Sequence, residues 1–348
     1  MYRGWGILLR GRDDLLGYHV RVKKQTMNKL FILVIFFFFS CDDHFSGEEN
    51  ARPVTKLQAE IVEKLSDRGV FNAWGISKVG DKFLIRSSSG VVAVPYKEKT
   101  LSRSEENGGK GVILYDFMQG KVMEYSAGQK GNIQSHPVIL PEKEQHLAAI
   151  KGEDFIISTG IYEKGRYLYT PNEGEAKYFL SYPECSDYPD MTGKVKSILY
   201  ASCVLRIRPD ERSFVGADMY SGTIDFCRIE NGKIGLVKRV CLHAPEVRVQ
   251  GTANPKVRYT KTNRMGFTDV AVSEDRVYAL HSGKSFREAG NDFSICEELL
   301  IFDWDGNLLE RCHLPAPVTS IDYSSSENCI YAVENGQDAA IIKIKLPD

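Results

Sequence analysis

The side chains with the most capacity for chemistry fall in three stretches. Residues 247–265 carry Arg248, Lys256, Arg258, Lys261 and Arg264 with no acidic residue among them. Cations at that density suit an anionic glycan, a phosphate or an acidic partner, although such runs are more often plain solvated surface. Tyr182-Pro183-Glu184 and Asp187-Tyr188-Pro189-Asp190 set aromatic faces beside carboxylates. That mixture suits contact with a sugar or peptide, and a loop stiffened by proline has the same composition. His281 closes a strand pattern at His281-Ser282-Gly283-Lys284-Ser285, where its imidazole can point into a channel. A histidine at such a place is more often a hydrogen-bonded structural residue than a catalyst.

Motifs for catalysis are mostly missing. Gly283-Lys284-Ser285 matches the end of a phosphate-binding loop, but Tyr278 stands where that motif needs glycine, and a strand-to-loop setting is wrong for it. No HExxH or GxSxG occurs, and the 7 histidines form no close metal-ligand pair. Asp303-Trp304-Asp305-Gly306-Asn307 opens like a calcium loop but lacks the later glutamate, so it reads as a hairpin turn. The sequence therefore implies no catalytic residue, metal or cofactor. Carboxylates gathered from distant segments would leave no motif, so a polysaccharide-active hydrolase or lyase stays open beside the binding reading, as does a purely structural envelope scaffold.

The chain has 348 residues, 43% of them hydrophobic and 26% charged, with a formal net charge of -1. That is an ordinary globular balance with no excess of basic residues, which argues against nucleic acid as a partner. Residues 1–26 hold Arg3, Arg10, Arg12, Arg21, Lys23 and Lys24 with no clear period, and read as an upstream over-extension or a long basic leader. Met27 then opens a short basic start, the apolar run Leu30–Phe39 and Ser40-Cys41. The run is shorter than the ~20 residues a membrane span needs and has the form of a secretory signal. Phe38-Phe39-Ser40-Cys41 resembles a bacterial lipobox, with Phe38 where leucine is usual. The resemblance implies lipidation of Cys41, a polar tether over 41–51 and one folded domain over 52–348. The expected location is the cell envelope of a Gram-negative bacterium, lipid-anchored, at the outer membrane. The acidic residues after Cys41 fit both a surface-export and an inner-membrane signal. Of 8 cysteines, Cys203, Cys227, Cys241, Cys296, Cys312 and Cys329 fall in or beside strand patterns, without a CxxC pair. Buried free thiols are expected rather than disulfides or zinc.

Strands and turns must position these side chains. Thr268–Val272, Val277–Leu280, Leu299–Trp304 and Leu308–His313 read as four strands joined by turn chemistry, and Val318–Tyr323, Cys329–Val333 and Ala340–Leu346 restart the pattern. Hairpins recur upstream as inner pairs (Ile76–Val79 with Phe83–Arg86, Leu147–Ile150 with Phe155–Ser158, Val204–Ile207 with Ser213–Gly216) and outer pairs (Ile113–Phe117 with Lys121–Tyr125, Tyr167–Thr170 with Glu175–Leu180, Thr223–Ile229 with Lys233–Val240). A repeating four-stranded antiparallel unit is the signature of an all-β propeller. Five units can be counted, with room for a sixth in Ser87–Lys110 or Ser181–Ile198. Arg52–Leu65 has a helix-like period but could instead supply a strand that completes the last unit and covers its edge. The run VYALHSG … LLIFDWDGNLLERCHL … IDYSSSENCIYAV, at Val277–Val333, resembles the TolB-like six-bladed propeller family of bacterial lipoproteins. The resemblance implies six blades and no particular chemistry. Turns on one face are short, while Gly128–Glu144, Thr159–Arg166, Ser181–Ser197, Leu242–Met265 and His281–Glu298 elaborate the other. Long loops on a rigid scaffold are where binding concentrates. The chain is thus expected to be a membrane-anchored binding module for an envelope protein, glycan or peptide, acting through its loop-rich face.

Overall fold

The computed structural model describes residues 43–44, 53–88, 90–96, 111–116, 119–127, 132–184, 191–251, 254–334 and 339–347. The expected signal segment, Cys41 and most of the expected tether lie outside these residues. Asp42–Asp348 forms one compact unit.

The chain is all-β, and its strands meander outward in successive antiparallel sheets. The first sheet is Ala73–Val79, Lys82–Ser87 and Gly90–Pro95, and the second is Val112–Asp116, Lys121–Ala127 and Ile133–Pro137. The third is Gln145–Lys151, Phe155–Ile161, Tyr167–Pro171 and Lys177–Phe179. The fourth is Cys203–Ile207, Ser213–Asp218, Thr223–Glu230 and Lys233–Cys241. An eight-stranded ladder follows, and it is two sheets joined by one strand. Phe267–Val272, Val277–His281, Cys296–Phe302 and the front of Leu308–Ser324 make the fifth sheet. The rear of that strand, Cys329–Glu334, Ala340–Lys345 and the N-terminal Gln58–Lys64 make the sixth. Leu308–Ser324 changes sheets at Pro315 and Pro317, between its ladder with Cys296–Phe302 and its ladder with Cys329–Glu334. Proline has no N–H to give a ladder, so the pairing breaks there.

The hairpin assignment needs correcting. Ile113–Phe117 and Lys121–Tyr125 are not an outer hairpin of the first sheet but the inner hairpin of the second. Leu114 packs on Val79 and Leu84 of the first sheet, as an inner strand must. The first two sheets have three strands each among the described residues, so counting by fours merged them. The overlooked strand is Gly90–Pro95, inside 87–110, whereas the 181–198 stretch leads into the helix Gly193–Leu199, capped by Thr192. Residues 58–64 form the expected strand that completes the last sheet, since Ala340–Lys345 offers an edge whose ladder bonds outweigh the local helical period. The same segment also adds Val54–Lys56 in parallel to Arg311–His313 on the fifth sheet, and Asp43–His44 to Val240–Cys241 on the fourth.

Neighbouring sheets pack face to face. Tyr167 meets Phe214 edge-on at 5.1 Å between the third and fourth, and Phe226 meets Phe302 at 5.4 Å between the fourth and fifth. Phe83 meets Tyr331 at 4.8 Å where the sixth packs back on the first. Each buried aromatic contributes roughly 2–3 kcal/mol. The six described cysteines are free, five of them buried in these seams.

The strand assignment for 58–64 has a clear consequence. Ile61, within the strand, is 60% exposed, whereas Leu65, which opens the short 3-10 turn after it, is 0% exposed. Leu65→Ala should cost about 2–5 kcal/mol in urea unfolding, while Ile61→Ala should stay within ~1 kcal/mol. Equal losses would contradict these placements.

Candidate functional site

Strand direction sorts the two faces of this scaffold. First strands begin, and second strands end, on the face with the long connections. The central channel holds a cavity of about 290 Å³ at that end, walled by all six sheets. Trp74, Cys203 and Thr268 come from first-strand beginnings, Arg86 from a second-strand end, and Met219 and Ser294 from the connections beyond. Much of the wall is apolar, and its charged members among the described residues are Arg86, Arg206 and Asp269.

Asp269 is the hub of this wall. Its Oδ1 accepts from Arg206 Nη2 at 2.8 Å and from the Val270 N–H at 2.9 Å. Its Oδ2 accepts from the Ser320 hydroxyl and from the Ile321 N–H at 3.2 Å. Arg86 Nη2 lies farther off, 3.9 Å from the same oxygen and 3.4 Å from Ser320 Oγ. The Arg86 guanidinium stacks on Trp74 at 4.9 Å, and its Nε is buried with no acceptor among the described residues. Gly75, its cross-strand partner, gives it passage, since a Cβ there would sit 2.1 Å from Arg86 Nε. Burial lowers the Arg86 pKa, with Asp269 opposing and Arg206 reinforcing.

A second polar cluster ties the third sheet to the fourth. Arg166, 1% exposed, reaches Asp218 at 3.0 Å and Asp225 at 2.8 Å, and Asp225 also takes Arg239 at 2.6 Å. Burial pushes Asp218 up to about 6 despite Arg166. Burial acts the same way on Asp225, but Arg166 and Arg239 together hold it below the usual range. Removing one member of such a network strands a buried charge, which makes it a strong structural lock.

The residues singled out from sequence do not converge on the cavity. Val247–Gln250 and Lys256–Tyr259 form a small hairpin. Val247, Val257 and Tyr259 settle on Leu199, Tyr200 and Tyr182. The opposite face carries Arg248 directly across from Arg258, with Lys256 across from Gln250. Like charges so placed repel, and neither Arg248, Lys256, Arg258 nor the exposed Lys261 forms an ion pair with a described residue. Arg264 is committed elsewhere, to Gly283 O at 2.5 Å and Glu288 at 3.0 Å. His281 Nδ1 lies 3.3 Å from Glu298, which also binds Arg311. Its ring packs on Phe267 and, at 5.9 Å, on His243, whose pKa burial and His281 push down to about 4. Tyr182 is buried, donates to Tyr162 O at 2.8 Å and stacks on Tyr200. Asp187, Tyr188 and Asp190 lie outside the described residues. Arg86, Arg206 and Asp269 sit in strands that are legible from sequence, but a charge within an inner strand is the only signal they leave.

The opposite face carries a wider groove, about 530 Å³, lined by charges of both signs. Its Arg208 stacks on Trp304 at 5.6 Å and lies 3.6 Å from Asp210. Asp303 accepts from the Asp305 and Asn307 N–H groups, so this segment is the expected hairpin turn.

Residues 116–326, more than half of the chain, match the model of the TolB-like 6-blade propeller-like family. The chain belongs to that family. Among solved structures it is similar to a candidate exported protein of Bacteroides fragilis NCTC 9343, at 10% identity and a TM-score of 0.48, over 84% of this chain and 96% of that one. It is also similar to a gluconolactonase of Xanthomonas campestris, at 10% identity and a TM-score of 0.41, over 85% of this chain and 99% of that one. No curated protein matches the sequence. Among the described residues no helix is long and apolar enough to cross a membrane, and no three His, Cys, Asp or Glu side chains gather as a metal site.

Next to the cavity, Asp322 accepts from the Lys78 N–H at 2.5 Å and from the Tyr323 N–H at 3.0 Å. Burial raises its pKa from 3.8 to about 6. The folded state holds that proton more tightly than the unfolded state. Its stabilising effect is therefore full below pH 3.8 and lost as pH rises through 6. Asp322→Asn does not titrate. Between pH 4 and pH 7.5 the variant should gain on the wild type by on the order of 1 kcal/mol in urea unfolding. A gap that does not change with pH would contradict this.

Proposed function

We propose that this propeller is an extracytoplasmic lipoprotein, anchored through Cys41, that binds a ligand or protein partner at its loop-rich face. The observation that carries the reading is the cavity at the loop-rich end of the channel, to which every sheet contributes. A concave, largely apolar site with a few placed polar groups is the usual form of a ligand site. The outward cationic face of the hairpin at 247–259 stands on the same side as the long connections, as a rim for an acidic or glycan partner. The lipobox-like run and the apolar stretch before it support the envelope location and the anchor.

The polysaccharide-active alternative has less support. Asp269, the carboxylate among the described residues of the cavity wall, has its oxygens engaged by Arg206, Ser320 and two backbone N–H groups. Its lone pairs are taken by these structural donors, which leaves none directed at a substrate proton.

Photo-crosslinkers separate the two faces. One placed at Lys256 or Ser294 in the native host should trap a specific envelope component, and one placed at Asp275 or Asp305 on the short-turn face should not. Capture only from the short-turn face would reverse the reading. Mass spectrometry of the mature N-terminus should show an acylated Cys41, and an unmodified chain starting later would remove the anchor.

A further inference from the structure

The charged wall of the cavity is unevenly balanced. Two guanidinium groups, Arg86 and Arg206, face one carboxylate, Asp269. Arg206 takes the close ion pair at 2.8 Å, and the remaining lone pairs of Asp269 go to Ser320 and the backbone. Arg86 is left at 3.9 Å with a weak contact to Ser320 and an Nε that has no acceptor among the described residues. A largely buried cation, its side chain 20% exposed, is costly without full compensation, because the interior does not solvate it as water does. The sequence nevertheless spends a glycine on bringing it there. Gly75 has an ordinary strand conformation, yet any side chain would collide with the Arg86 guanidinium. Trp74 then holds the guanidinium flat by stacking on it.

We propose that this cavity takes a small carboxylate ligand, with the carboxylate on Arg86 beside Arg206 and the body of the molecule along the apolar wall. Asp322 lies close enough to act on Arg86 as well, so the match is one of hydrogen bonding and shape: a planar carboxylate fits the guanidinium fork and supplies the acceptor that Arg86 Nε lacks among the described residues. A phosphate dianion would set two further charges beside Asp269 and Asp322. Apolar wall from Ile113, Leu147 and Ala148 suits a body with hydrocarbon or ring faces, and about 290 Å³ restricts it to the size of a small metabolite. The inference rests on the loop-rich face being the binding face, and names what the channel end would hold.

Isothermal titration calorimetry on the full-length protein tests it with phenylacetate, glucuronate and inorganic phosphate, against phenylacetamide and glucuronamide as uncharged counterparts. At least one carboxylate should bind saturably, with its amide at least about tenfold weaker. Arg86→Gln should weaken the acid by about tenfold or more and leave the amide unchanged. Gly75→Ala, which leaves the charge in place but displaces the guanidinium, should have a similar effect. Should Arg86→Gln fail to fold, the comparison of acid and amide on the wild type decides alone. No binding of either acid, equal binding of acid and amide, or unchanged affinity in a folded Arg86→Gln overturns the proposal. Preference for phosphate over both acids overturns the carboxylate assignment. Failure here together with crosslinking on the loop-rich face removes only the carboxylate, whereas failure of both removes the binding face as well.

Discussion

The carboxylate of Asp269 joins four sheets in the middle of the ring. It accepts from Arg206 of the fourth sheet and from Ser320 and Ile321 of the sixth, lies 3.9 Å from Arg86 of the first, and belongs itself to the fifth. Apart from the fifth and sixth, which share Leu308–Ser324, sheets in this fold meet through side chains, so their spacing at the channel depends on contacts of this kind. A desolvated carboxylate tolerates little displacement of its donors. Asp269 therefore fixes the inner strands at the loop-rich end, and with them the shape of the cavity. Arg166, Asp218, Asp225 and Arg239 act similarly one seam away.

The rim is secured differently. The N-terminal segment pairs with the outer edges of the fourth, fifth and sixth sheets in turn. It covers backbone groups that would otherwise offer an edge to other chains. A chain tethered near this segment would present its two faces unequally, one trimmed to tight turns and the other carrying a helix, a hairpin and the cavity. Rigidity at the centre and elaboration on one face are what a binding scaffold requires.

Much of this architecture is legible in the sequence, and the limits are physical. Paired β-branched runs with Gly-containing turns locate nearly every hairpin, and the change of sheet near Pro315 and Pro317 is visible as a break between Leu308–His313 and Val318–Tyr323. The number of sheets was obscured because the first two lack a fourth strand among the described residues. The helical period of residues 52–65 was overridden by a strand edge nearly three hundred residues away, which no local pattern contains. The site was harder still. Arg248 and Arg258 are conspicuous as a cluster but stand on an outer hairpin. Arg86, Arg206 and Asp269 are far apart in sequence, each one charge inside an apolar strand, and only the ring brings them together. Gly75 looks like an ordinary strand glycine until the side chain crossing it is seen.

The most direct test of this account is a crystal structure of the protein purified from its native host, at a resolution that separates ligand from water. The account predicts a small molecule in the channel cavity at the loop-rich end, with an acidic group against Arg86 and its body along the wall. A cavity holding only water, in crystals of the native protein and in crystals soaked with carboxylates, would contradict it.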